Sequence, residues 1–127
     1  MEYLFCRHLR KGLLVGTLHY GNGLDTLTIP DDVLAHVKIV ITTKLRRGES
    51  FTFTWQHPQG SGPARTTLWI QPAIPLLFTF ESAEPVPLDR EYLNTLAVAA
   101  NSNAGLIVNS PDCDQLGRPP ELRPAAA

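Results

Sequence analysis

The sequence predicts an α+β domain in the order β-β-α-β-β-β-α-β, an antiparallel sheet with two helices on one face. Three observations carry this. Two segments repeat apolar residues at three- and four-residue steps, as amphipathic helices do. The segments around them alternate large apolar residues with small or polar ones, as strands do. Clusters of Gly, Pro and Asn separate these segments. The chain has 127 residues, 43% of them hydrophobic, and a formal charge of −1. That length fits one small domain. It is too apolar for a disordered chain, and too balanced in charge for a wholly basic nucleic-acid coat. No stretch approaches the roughly 20 apolar residues of a membrane span. A cytoplasmic protein is expected.

Val15–Tyr20 reads as the first strand. Gly21-Asn22-Gly23 is a turn, because both residue types accept positive φ cheaply. Leu24–Ile29, rich in β-branched residues, is the second strand of a hairpin, and Pro30 stops it. Asp31 and Asp32 then sit where a helix N-cap and first turn favour carboxylates. Val33, Leu34, Val37, Ile41 and Leu45 build one apolar stripe over 31–47. Lys44, Arg46 and Arg47 fall in the last turn, and Gly48 follows as a natural terminator.

Ser50–Gln56 reads as a strand with Phe51, Phe53 and Trp55 on one side and Thr52, Thr54 and Gln56 on the other. After the loop 57–63, Arg65–Gln71 returns with Leu68 and Ile70 facing the core. A corner from Pro72 to Pro75 leads to Leu76–Glu81, and the three strands are expected to form a meander. Asp89 is the next N-cap, with Leu88 and Leu93 at staple spacing. Tyr92, Leu93, Leu96 and Ala100 supply the second helix's buried stripe. Asn101 to Gly105 ends that helix, and Leu106–Asn109 is the last strand.

The flanks read differently. Residues 1–14 carry their basic residues after the apolar run, the reverse of a secretory signal. Val15 can be encoded by a GTG start codon, so 1–14 is expected to be an over-extended gene start. Residues 110–127 contain four prolines and close on three alanines, as a flexible tail does. The domain is therefore placed at 15–109. Cys6 and Cys113 lie in these flanks. Nothing provides the paired ligand spacings of a zinc site, and free thiols are the simpler reading beside a Cys6–Cys113 disulfide.

Two surfaces carry the functional candidates. Alternation puts Thr52, Thr54, Thr67 and Thr79 outward, with Thr26 and Thr28, and places Trp69 and Leu77 on the same threonine face. A Trp on an open sheet is costly to leave wet, so Trp69, Leu77, Thr52, Thr54 and Thr67 form a candidate interface for a protein partner or a homodimer. The second surface is Lys44, Arg46 and Arg47 with Arg65, candidate contacts to nucleic-acid phosphates. Helix-dipole complementarity also explains the first three. His19, His36 and His57 have no partner at a catalytic spacing, and N-cap duty explains Asp31 and Asp32 without a metal. No phosphate loop, nucleophile elbow or His-Glu-x-x-His occurs. The reading assigns no catalytic residue, cofactor or metal.

Five strings add a resemblance. They are Gly16-Thr17-Leu18-His19-Tyr20-Gly21, then Asp32 with Leu34-Ala35-His36, then Thr43 to Phe51. Trp69-Ile70 with Pro72 and Ile74-Pro75-Leu76 follows, and Ala100-Asn101-Ser102 closes the set. Over roughly 15–109 these resemble a family of small actinobacterial proteins of unknown function, often given the automatic label "ATP-dependent DNA ligase". The resemblance implies no catalytic residues. Such ligases use the lysine of a Lys-x-Asp-Gly motif, and none of Lys11, Lys38 and Lys44 is followed by x-Asp-Gly. The expectation is a non-enzymatic binding module, with a nucleic-acid-binding accessory of DNA processing as the alternative.

Overall fold

The computed structural model describes residues 14–22, 25–58 and 62–109. The expectations for 1–13 and 110–127, including both cysteines, lie outside them. The elements are β1 (Val15–Tyr20), β2 (Asp25–Pro30), α1 (Asp31–Arg46), β3 (Phe51–Gln56), β4 (Arg65–Ile70), β5 (Leu76–Thr79), α2 (Arg90–Ala100) and β6 (Leu106–Asn109). The α+β class and the order of elements are those the sequence predicts.

The strands divide between two sheets rather than forming one. Sheet A has the order β2-β1-β5 and sheet B the order β4-β3-β6. The expected meander is therefore broken. β3 and β4 pair as a hairpin, Phe51 opposite Ile70 and Gln56 opposite Arg65. The chain then leaves sheet B, and β5 pairs antiparallel with β1, Thr17 opposite Thr79. The corner explains the departure. Pro72 and Pro75 lack N–H donors and have fixed φ, so this stretch cannot continue a ladder. The Pro75 carbonyl instead accepts from Gly21 N at 3.0 Å, which sets the start of β5 beside the end of β1.

The last strand also departs from an all-antiparallel pattern. β6 runs parallel to β3, with Phe53 opposite Leu106 and Gln56 opposite Asn109. A parallel neighbour needs a long return path, and the chain from β4 through α2 supplies it.

Each helix covers its own sheet. α1 lies against β1 and β2, α2 lies against β6 and β3, and the helices pack on each other. The predicted stripe of α1 is buried through Val33, Leu34, Val37 and Ile41, and Leu45 packs at its edge. One apolar cluster joins both sheets through Leu18, Ile29, Phe53, Trp55, Ile70, Leu106 and Val108. Each such side chain contributes roughly 1.5–3 kcal/mol on burial.

The start of α1 corrects one expectation. Pro30 occupies the N-cap position, and no side chain caps the helix. Asp31 therefore falls inside the first turn. Its buried carboxylate turns toward the end of β5, accepting from Glu81 N at 3.2 Å and Ser82 N at 2.9 Å. The start of α2 behaves as predicted, with Asp89 Oδ1 accepting from Tyr92 N at 3.1 Å. Leu88 is half exposed rather than stapled down.

Candidate interaction face

The face of sheet B turned away from the helices has three rows, read across β4, β3 and β6. Cross-strand partners share a face, with adjacent strands about 4.8 Å apart. Trp69 stands beside Thr52, Thr67 beside Thr54 and Ile107, and Arg65 beside Gln56 and Asn109. Inward-facing Phe53, Leu68, Ile70, Leu106 and Val108 alternate with them and fix their direction. Trp69 is 51% exposed and Ile107 42%. Between them, buried Thr54 hydrogen-bonds Thr67 at 2.8 Å, so these two hydroxyls satisfy each other. Gly105 closes the Thr52 row. Its φ is 81°, and a Cβ there would run into the Thr52 side chain and carbonyl. Arg65 is the face's one charged side chain among the described residues.

The backbone under Trp69 is held from the other sheet, because the Tyr20 hydroxyl donates to the Trp69 carbonyl. Burial pushes the Tyr20 phenol above its usual 10.0.

The sequence placed Leu77 and Thr79 on the same face as Trp69. They lie instead on the outer face of sheet A, where Leu77 is 58% exposed opposite His19, and Thr79 is opposite Thr17. Thr26 and Thr28 share that surface through β2. Of the candidate interface residues, the structure brings together Trp69, Thr52, Thr54 and Thr67, and not Leu77. Ile107 joins them. Strand alternation marks it as outward, but its place beside Thr54 depends on the parallel β3–β6 pairing.

The candidate phosphate contacts do not share one surface. Lys44 Nζ pairs with Glu49 at 3.0 Å, donates to Asn101 Oδ1 at 2.9 Å and lies 5.6 Å from the Phe51 ring centre. Arg46 and Arg47 are exposed where α1 ends, near the start of β3. Arg65 pairs with Gln56 at the far end of β3, about 16 Å away along the strand. Arg47 and Lys44 instead edge a groove of about 170 Å³ between the helices, floored by Val40, Leu93 and Ala97.

The histidines are accounted for separately. His36 is buried, with Nδ1 2.6 Å from the Asp32 carbonyl and Nε2 accepting from Asp89 N at 2.8 Å. This ring joins α1 to the cap of α2. His57 Nε2 lies 2.8 Å from Thr66 Oγ1, and His19 sits on the outer face of sheet A. Among the described residues, no group of three or more His, Cys, Asp or Glu could hold a metal ion. No described helix is long and apolar enough to cross a membrane.

No curated protein and no solved structure matches the chain. A family model does, over residues 15–111, a span that takes in both sheets, both helices and the Trp69 face. The chain belongs to that family, described as a domain of unknown function (DUF7882).

Proposed function

We propose that this domain is a non-catalytic binding module whose contact surface is the outer face of sheet B around Trp69. The observation that carries the reading is the exposure of Trp69, 51%, on a strand whose alternate residues Leu68 and Ile70 are buried. A Trp held rigidly by its own strand gives a large contact area at little cost in side-chain ordering. Ile107, Thr52 and Thr67 extend the surface with apolar and hydroxyl groups, the mixture found at non-obligate interfaces. The alternative, nucleic-acid binding, has less support, since Lys44 is engaged and Arg65 lies away from Arg46 and Arg47.

The test is photo-crosslinking. A benzophenone amino acid replaces Thr67, beside Trp69, and the full chain is irradiated in the cells that make it. Discrete adducts that disappear with Trp69→Glu support the reading. No adduct at Thr67, with adducts formed from Thr26 on sheet A, overturns it.

A further inference from the structure

We propose that the occupant of this face is a second copy of the same chain. The inference rests on the reading of the Trp69 face as the contact surface. The face is complementary to itself. Trp69 and Arg65 lie four residues apart on the same side of β4, with Thr67 between them. A two-fold axis along the Thr67–Thr54–Ile107 row brings the Trp69 row of one copy over the Arg65 row of the other. Each indole then meets the guanidinium of Arg65 of the second copy, a favourable cation–π pairing formed twice by symmetry. Ile107 lies on the axis row and meets Ile107 of the second copy, so both exposed apolar side chains leave water together.

The charges agree with this arrangement. Among the described residues the face holds no acid, so no carboxylate is buried against another copy. Its single cation is placed over an aromatic ring rather than over its own symmetry mate. The chain's formal charge of −1 sets up little long-range repulsion between copies.

The size of the face sets the strength. Three strands span about 10 Å across and about 17 Å along β3. That is well below the roughly 800 Å² per partner of a standard stable interface. The dimer is therefore weak and reversible, with a dissociation constant of about 100 μM, so it is well populated at about 1 mM. The inter-helix groove and the outer face of sheet A remain open to solvent in this assembly.

The experiment mixes isotope-labelled and unlabelled full-length chains at about 1 mM and records filtered intermolecular NOEs, with sedimentation equilibrium alongside. The expected result is contact between the Trp69 indole of one copy and the Arg65 side chain of the other, together with an Ile107–Ile107 contact. Trp69→Glu and Arg65→Glu each weaken association more than tenfold, and Ile107→Lys does the same from the other edge. Emission from buried Trp55 reports that each variant stays folded. A monomer at 1 mM, or a dimer whose contacts come from Leu77 or Arg47, overturns the inference. If the Thr67 crosslink then yields a Trp69-dependent adduct of foreign mass, the binding-module reading stands without it. If the crosslink yields none, both fall.

Discussion

The Tyr20 hydroxyl donates to the Trp69 carbonyl, tying the end of β1 in one sheet to the penultimate residue of β4 in the other. This is a side-chain link between two sheets that share no backbone ladder. Tyr20→Phe removes the link and keeps the ring. The expected cost is about 1 kcal/mol, read by denaturant titration. The alkaline limb gives a second readout. The folded-state phenol is raised above 10.0, so its stabilisation is complete below that pH. It is lost as pH climbs through the raised range, because the unfolded chain ionises first. The wild type therefore loses stability there more steeply than Tyr20→Phe.

Asp31 supports the joint between sheet A and α1. Its carboxylate accepts two backbone N–H groups just beyond β5, and its own N–H donates to the Leu14 carbonyl at 2.8 Å. Asp31→Ala strands the Glu81 and Ser82 donors in a partly buried position, for an expected loss of about 2–3 kcal/mol. Asp31→Asn retains one carbonyl acceptor and is expected to cost less. Chemical unfolding of the pair distinguishes the two, and equal losses would remove these hydrogen bonds from the account.

Gly105 carries a double restriction. Its φ of 81° lies where L side chains are strained, and the space a Cβ needs is filled by Thr52. Gly105→Ala is expected to destabilise by more than about 2 kcal/mol. Thr52→Ala removes the clashing hydroxyl but neither the close Thr52 carbonyl nor the backbone strain, so the double variant should recover only part of the loss. Full recovery would place the whole effect in the clash with the hydroxyl.

DNA binding supplies a test between surfaces. Fluorescence anisotropy with labelled single- and double-stranded DNA is expected to show no binding at physiological salt. Any binding at low salt should weaken steeply with added salt. Replacing Arg46 and Arg47 with Ala should then remove it, whereas Arg65→Ala should not, because Arg65 lies at the other end of β3. Binding that still persists at physiological salt and depends on all three arginines would restore the nucleic-acid reading.

Much of the local structure was legible in the sequence because each signal was short-range. The three- and four-residue spacing of Val33, Leu34, Val37 and Ile41 marks α1, and Asp89 marks the start of α2. Alternation between Leu68 and Ile70 is enough by itself to place Trp69 outside. The partition of strands was not legible. Whether β5 joins β4 or β1 is decided by the corner from Pro72 to Pro75 and by the Gly21–Pro75 hydrogen bond, which spans distant positions. The same long-range choice moved Leu77 away from Trp69. Asp31 was misread because Pro30, one residue earlier, already fills the cap position. Ile107 went unassigned because its neighbours on the face come from a parallel pairing that no local pattern encodes.

The parallel pairing of β3 with β6 has a consequence during synthesis. Residue 53 pairs with residue 106, so the central strand of sheet B waits for nearly the whole domain to leave the ribosome before its second edge is covered. Until then Phe-Thr-Phe-Thr-Trp presents unpaired backbone along one side, an apolar β-prone run open to other chains. A nascent chain stalled before Leu106 should be a substrate for chaperones, and a truncation at that point should aggregate rather than persist as a smaller folded unit.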